Sequence, residues 1–397
     1  MRKTVFLHIG YFKTGTSSIQ RYFDRYRNAL LEHGLLYPEN GVHTATISHA
    51  FLPLKRLDEI GEKMEQWFKN SLMKMEEPPT ASQIWRKAVK EIEASKASRI
   101  VISSEEFVRY ASNEKTKTLI REVRDHLAPY DVRIICYIRR QDDYLESMYN
   151  QLVKMGNRVP EACSLSFLES LEQIHWNYLA TLEAWEEVFG RERMIVRIFE
   201  RDTLVGNDAI KDFLYIIFGD GAVNVDNYPF KHRNVSISNR LIELKRVCNH
   251  HLSGVYESRY KSDERMKKVL RKVEAIHNSR SDGKRHRLLS FEDRMLIVKR
   301  SEEMNREISR RYLSGKWPLF TEIGEEEEDV PIAGEPGIEE TLLLLLGMVT
   351  EQYLRETAQN ENMASSADLL RRIEEIKRSR SWRITAPLRK LSERFFK

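Results

Sequence analysis

VFLHIGYFKTGTSSIQ, residues 5–20, is the stretch whose reading decides the fold. Residues 5–9 form a short apolar, β-favouring run, and residues 10–16 a loop of Gly, Lys and Thr. From Ser17 onward Ile19, Tyr22, Phe23, Tyr26, Leu30 and Leu31 recur at helical spacing. The order is strand, loop, helix. Such a loop leaves backbone N–H groups unpaired at the positive end of the helix, where an anion satisfies them. Gly15 lets the backbone approach closely, Thr14, Thr16, Ser17 and Ser18 add hydroxyl donors, and Lys13 adds a mobile cation. The Walker A loop of ATP kinases places its Lys after the second Gly, and here Lys13 precedes Gly15. Taken alone, the pattern still admits a nucleotide kinase or a non-catalytic nucleotide binder.

Further strand patterns follow at RIVISSEEFV (99–108), VRIICYI (132–138) and RMIVRIF (193–199), with a short strand and turn near residues 34–41. Between them, residues 52–74, 82–96, 115–128, 164–189 and 208–218 read as helices. This alternation predicts an α/β fold with a P-loop-like, mainly parallel sheet flanked by helices. Ligands of such sheets bind outside the carboxyl ends of the strands. Glu105 and Glu106, which follow the strand at residue 99, would share that rim with the loop and are candidates for a general base. Either also fits as a cap of the next turn. His43 and His49 lie in a polar segment where they would reach a substrate or be structural.

KTGTSS, residues 13–18, resembles the first signature of the sulfotransferases that use 3′-phosphoadenosine 5′-phosphosulfate (PAPS), a strand followed by a PKTGTT-like loop that holds the 5′-phosphate side of the donor. Phe12 stands where that family usually has Pro. The third strand, its terminal Arg139 and Ser147 eight residues later resemble the family's 3′-phosphate site, and a guanidinium fork with a nearby hydroxyl suits a phosphate. Arg140, one position off, is expected to pair with Asp142 or Asp143. By the same resemblance Phe199 would touch the adenine, and Arg233, Asn234 and Ser236 of the basic loop 228–238 would close on the donor, although that loop also fits a helix cap. The resemblance implies a sulfotransferase moving a sulfuryl group from PAPS to a glycan hydroxyl, with Lys13 stabilising the leaving phosphate, Glu105, Glu106 or His49 as base, and no metal required. A sugar or lipid kinase and a catalytically silent scaffold of a glycan-assembly complex are the alternatives.

The chain has 397 residues, 41% hydrophobic and 31% charged, with a net charge of +5. That balance fits an anionic donor and falls short of the concentrated basic surface of a nucleic-acid binder. Cys136, Cys163 and Cys248 are widely spaced and odd in number, which predicts a reducing compartment. No apolar run approaches the ~20 residues of a membrane span, and the reading is of a cytoplasmic, bacterial-type protein. The expected organisation is a PAPS-binding core at 1–240, a helical part of the same domain at 241–316, an acidic linker at 317–338 and a helical tail at 339–397. The final SRSWRITAPLRKLSERFF, residues 379–396, resembles tails of bacterial polysaccharide-assembly proteins. Its aromatic and basic residues suit the inner-membrane surface or a glycan-assembly partner.

Overall fold

The computed structural model describes residues 2–43, 47–53, 81–111, 114–155, 157, 159, 162–171, 175–220, 242–243, 246 and 287–323. All of them belong to one compact unit, Met1–His251 with Lys284–Ala333. The late basic loop, most of the linker and the tail lie outside the described residues.

Among the described residues five parallel strands form the sheet: β1 (Thr4–His8), β2 (Leu35–Leu36), β3 (Arg99–Ser103), β4 (Asp131–Ile138) and β5 (Met194–Ile198), in the order β2-β3-β1-β4-β5. The α/β, all-parallel architecture agrees with the sequence pattern. β1 is central, and the chain crosses it between β3 and β4, which opens the ligand crevice of an open α/β sheet at the carboxyl ends of β1 and β4.

Alternate side chains enter two cores, as a sheet buried on both faces requires. Val5, Leu7, Ile134 and Cys136 face one core, against α3 (Ala81–Ala94), α4 (Glu114–His126), α5 (Gln141–Lys154) and α7 (Tyr178–Phe189). Phe6, Ile135 and Tyr137 face the other, against α1 (Thr16–Arg25), Leu30 of α2 (Arg27–Glu32) and α8 (Ala209–Phe218). Trp185 is fully buried, and Trp176 donates from Nε1 to Leu168 O at 2.9 Å, so both tryptophans are packing residues.

Three boundaries differ from the sequence pattern. β3 stops at Ser103, and Glu105–Ala111 turns into a 3-10 helix because the Ser104 hydroxyl accepts from Glu106 N at 3.3 Å. The helix expected over 164–189 contains two helices, α6 (Leu165–Glu169) and α7, because Asn177 accepts from Ala180 N at 2.9 Å and starts a new one. Residues 317–323, assigned to the linker, belong with the core: Leu319 is 2% and Phe320 7% exposed. They follow α9 (Phe291–Arg300) and α10 (Glu302–Tyr312), whose Ile297, Ile308 and Tyr312 are buried in the same core.

Candidate active site

The loop between β1 and α1 is built on left-handed backbone. Lys13 has φ 64° and Gly15 φ 80°, and a Cβ added to Gly15 would sit 2.8 Å from the Phe199 ring. Only glycine suits Gly15, and holding a lysine at positive φ costs energy that the surrounding fold supplies. Among the described residues no side chain caps α1 at Gly15, which leaves backbone N–H groups of its first turn open to an anion. Ser17 and Ser18 are half-buried there. Thr16 is buried, and a Cβ added to Gly10 would sit 2.9 Å from its methyl carbon. Thr14 departs from its expected role: fully buried, it donates its hydroxyl proton to Tyr11 O at 2.6 Å and shapes the loop instead of offering that proton to a ligand.

Arg139, at the end of β4, brings its Nη1 to 3.5 Å from Lys13 O, joining two segments far apart in sequence. Lys13 Nζ lies 3.5 Å from Gln151 Oε1 on α5. Burial, then the charges of Lys154 and Arg139, push the Lys13 ammonium down to about 8, against a partial opposing pull from Glu105. Ser147 is half-buried on α5, and Asp143, Ser147, Gln151 and Lys154 recur at 4, 4 and 3 residues, the spacing of one helix face. Phe199 packs over Gly15 at the end of β5, half-buried. The structure therefore brings Lys13, Arg139, Ser147 and Phe199 to one rim.

The acidic candidates differ. Glu106 is ion-paired to Arg109 at 3.1 Å, and the Arg109 guanidinium lies 5.3 Å from the centre of the Phe12 ring. Phe12, in place of a proline, thus stacks the loop against the turn after β3. Glu105 accepts from Gln20 Nε2 at 2.8 Å. Gln20 also lies 3.3 Å from Ser103 Oγ, which is 2.9 Å from Nδ1 of its register neighbour His8. His8 Nε2 has no hydrogen-bond partner among the described residues, and burial lowers that ring to about 3.

His49 fails as a base on geometry. Its ring is fully buried, accepts from Ser103 N at Nδ1 (3.1 Å) and donates from Nε2 to Pro38 O (3.0 Å). Burial pushes it down to about 3, so it is a neutral bracket between the ends of β3 and β2. His43 is buried too, 5.2 Å from the Phe51 ring. Arg233, Asn234 and Ser236 lie outside the described residues.

The family profile described as "Sulfotransferase domain" matches residues 6–206, just over half of the chain and the whole of this rim. The chain belongs to the sulfotransferase domain family. An uncharacterized protein of Archaeoglobus fulgidus is 27% identical over 218 residues, 55% of this chain and 54% of its own length. The chain thus spans about half of that relative. Within the sulfotransferase domain, sequence reasoning missed Gln20, Arg109, Gln151 and Lys154. Gln20 follows Thr16 by one helical turn, and Gln151 and Lys154 share the helical period of Ser147, which is the signal that was available. Among the described residues no helix is long and apolar enough to cross a membrane.

Proposed function

We propose that the protein is a PAPS-dependent sulfotransferase acting on a hydroxyl of a glycan or glycolipid precursor. One observation carries the donor assignment: a half-buried lysine on a left-handed loop has its proton affinity lowered first by burial and then by the charges of two further cations, Lys154 and Arg139. Such a cluster is relieved by a polyanion, and a nucleotide with phosphates at both ends of its ribose spans the distance between a phosphate loop and the end of a neighbouring strand. The donor supplies an activated sulfuryl group. Lys13, the α1 N–H groups and Ser17 hold the phosphate side that leaves, and Arg139 with Ser147 holds the 3′-phosphate. Phe199 offers its ring to the base.

Glu105 takes the acceptor's hydroxyl proton as that oxygen bonds to sulfur and the bond between sulfur and the phosphate oxygen breaks, leaving a sulfate ester and 3′-phosphoadenosine 5′-phosphate. Glu105 is preferred to Glu106 because Arg109 already occupies the latter, while Gln20 fixes the former. Most of the acceleration would come from in-line positioning and from cations already in place. The glycan acceptor rests on the family resemblance and on the basic character of the C-terminal segments.

The test is calorimetric titration with 3′-phosphoadenosine 5′-phosphate, with ATP plus Mg²⁺ in parallel. Binding of the bisphosphate that weakens by more than about tenfold, or ~1.4 kcal/mol, in Arg139→Ala is expected. Binding of ATP with Mg²⁺ alone would transfer the protein to the kinase reading, and binding of neither to the scaffold reading.

A further inference from the structure

Immediately after Arg139 the chain enters a densely charged region. Arg140 is 6%, Asp142 1%, Glu146 6%, Arg287 6% and Arg294 1% exposed. Asp142 is held by Arg140 (2.6 and 3.0 Å) and by Arg294 Nε (3.0 Å). Arg287 Nη1 donates to Asp143 Oδ1 at 2.5 Å and lies 3.1 Å from Glu146 Oε2, and the backbone N–H of Leu288 also donates to Glu146. Arg140 Nη2 is 3.6 Å from Asp143 Oδ2. Arg139 Nη2 is 4.0 Å from that same oxygen, one helical turn away. Four guanidiniums thus face three carboxylates, and Arg139 is the one without a close ion-pair contact in the group.

We infer that Arg287 is a positioning residue of the donor site: by hydrogen-bonding Asp143 it keeps that carboxylate from closing on Arg139, so that Arg139 remains available to a phosphate. The inference rests on the reading of Arg139 as a phosphate ligand. Arg287 lies beyond residues 6–206, so the segment that supplies it completes a site built by the family domain. The seat is fixed: Leu289 is buried, and Ser290 caps α9 by accepting from Asp293 N at 3.1 Å. Burial would raise the Asp143 carboxyl, yet Arg139, Arg287 and Arg140 together hold it at about 2, so it is a full anion beside the phosphate site. With Arg287 gone, three guanidiniums face three carboxylates, and the nearest cation left to Asp143 besides Arg140 is Arg139. A phosphate must then compete with an intramolecular carboxylate.

The experiment titrates the full chain with 3′-phosphoadenosine 5′-phosphate and with AMP, which lacks the 3′-phosphate. Arg287→Gln is expected to weaken the bisphosphate by about tenfold while leaving AMP within about threefold, and adding Asp143→Asn is expected to restore the bisphosphate to within about threefold of wild type. Equal losses for both nucleotides, or no rescue in the double variant, would make Arg287 a merely structural residue and overturn the inference. Asp143→Asn alone decides the matter if Arg287→Gln does not fold. Retained or tighter bisphosphate binding is expected, and a tenfold loss would mean that Asp143 orients Arg139 instead of competing for it. Wild-type protein that binds no bisphosphate sinks both this inference and the proposed function. Wild-type binding that Arg287→Gln leaves unchanged sinks this inference alone.

Discussion

Arg139 and Arg140 are consecutive in the chain and opposite in environment. Arg140 is buried, locked on both oxygens of Asp142, and donates from Nη1 to Thr321 O at 3.0 Å. Thr321 in turn donates to Glu200 from its N–H and its hydroxyl, so residues near 321 are tied to the end of β5. The Arg139 side chain is about a quarter exposed, makes only long polar contacts among the described residues, and lies beside Lys13. One residue closes a structural network and its neighbour opens a cationic rim. The difference lies in their partners: both guanidiniums approach the same Asp143 oxygen, and Arg140 is in addition bound to both oxygens of Asp142. Paired charge gives a seat, and unbalanced charge at its edge gives affinity for an anion.

The largest effect expected from breaking the closed side belongs to Asp142→Ala. It strips two buried guanidiniums of their shared anion and should lower the unfolding free energy by about 3–5 kcal/mol in urea denaturation. Arg139→Ala should do the reverse, moving stability by less than about 0.5 kcal/mol while removing bisphosphate affinity. Next comes Gly15→Ala, which forces a Cβ into the Phe199 ring at φ 80°. A cost of about 1–3 kcal/mol is expected, together with loss of nucleotide binding, and a variant that binds normally would remove the close-approach argument for the loop.

A smaller effect is expected from pH. Lys13 is protonated below about 8 in the ligand-free protein, and a bound anion raises its proton affinity back toward the ordinary lysine value of 10.5. Between those limits binding takes up a proton, so affinity falls as pH rises. The heat of titration should then depend on the buffer's ionisation enthalpy. Lys13→Arg should abolish that dependence, since a guanidinium stays charged throughout. The smallest effect is reserved for Arg300→Ala, which removes an ion pair to Glu169 whose two side chains are about half exposed. Less than about 0.5 kcal/mol is expected, which sets the scale of surface pairing against the buried network.

Much of the fold was legible because its signals are local. Strand, loop and helix at residues 5–20, the β-branched runs and the helix expected over 208–218 each state their structure within a few residues. The loop between β1 and α1 and the strand-end position of Arg139 were legible for the same reason. Thr14 and His49 were misassigned because residue type gives the chemistry a side chain can do and not the partner it already has. Thr14 spends its proton on a carbonyl three residues back, and His49 bridges two strand ends.

The sequence by itself determined the α/β class, the strand, loop and helix at residues 5–20 and the sulfotransferase family, since these rest on propensity, period and motif. The tertiary structure alone decided that Gln20 holds Glu105, that Arg287 and Arg294 join the carboxylates of α5, and that residues 287–323 pack into the core. Those outcomes depend on contacts between segments far apart in the chain, such as Arg287 with Asp143, and on burial, which makes such charge pairs matter.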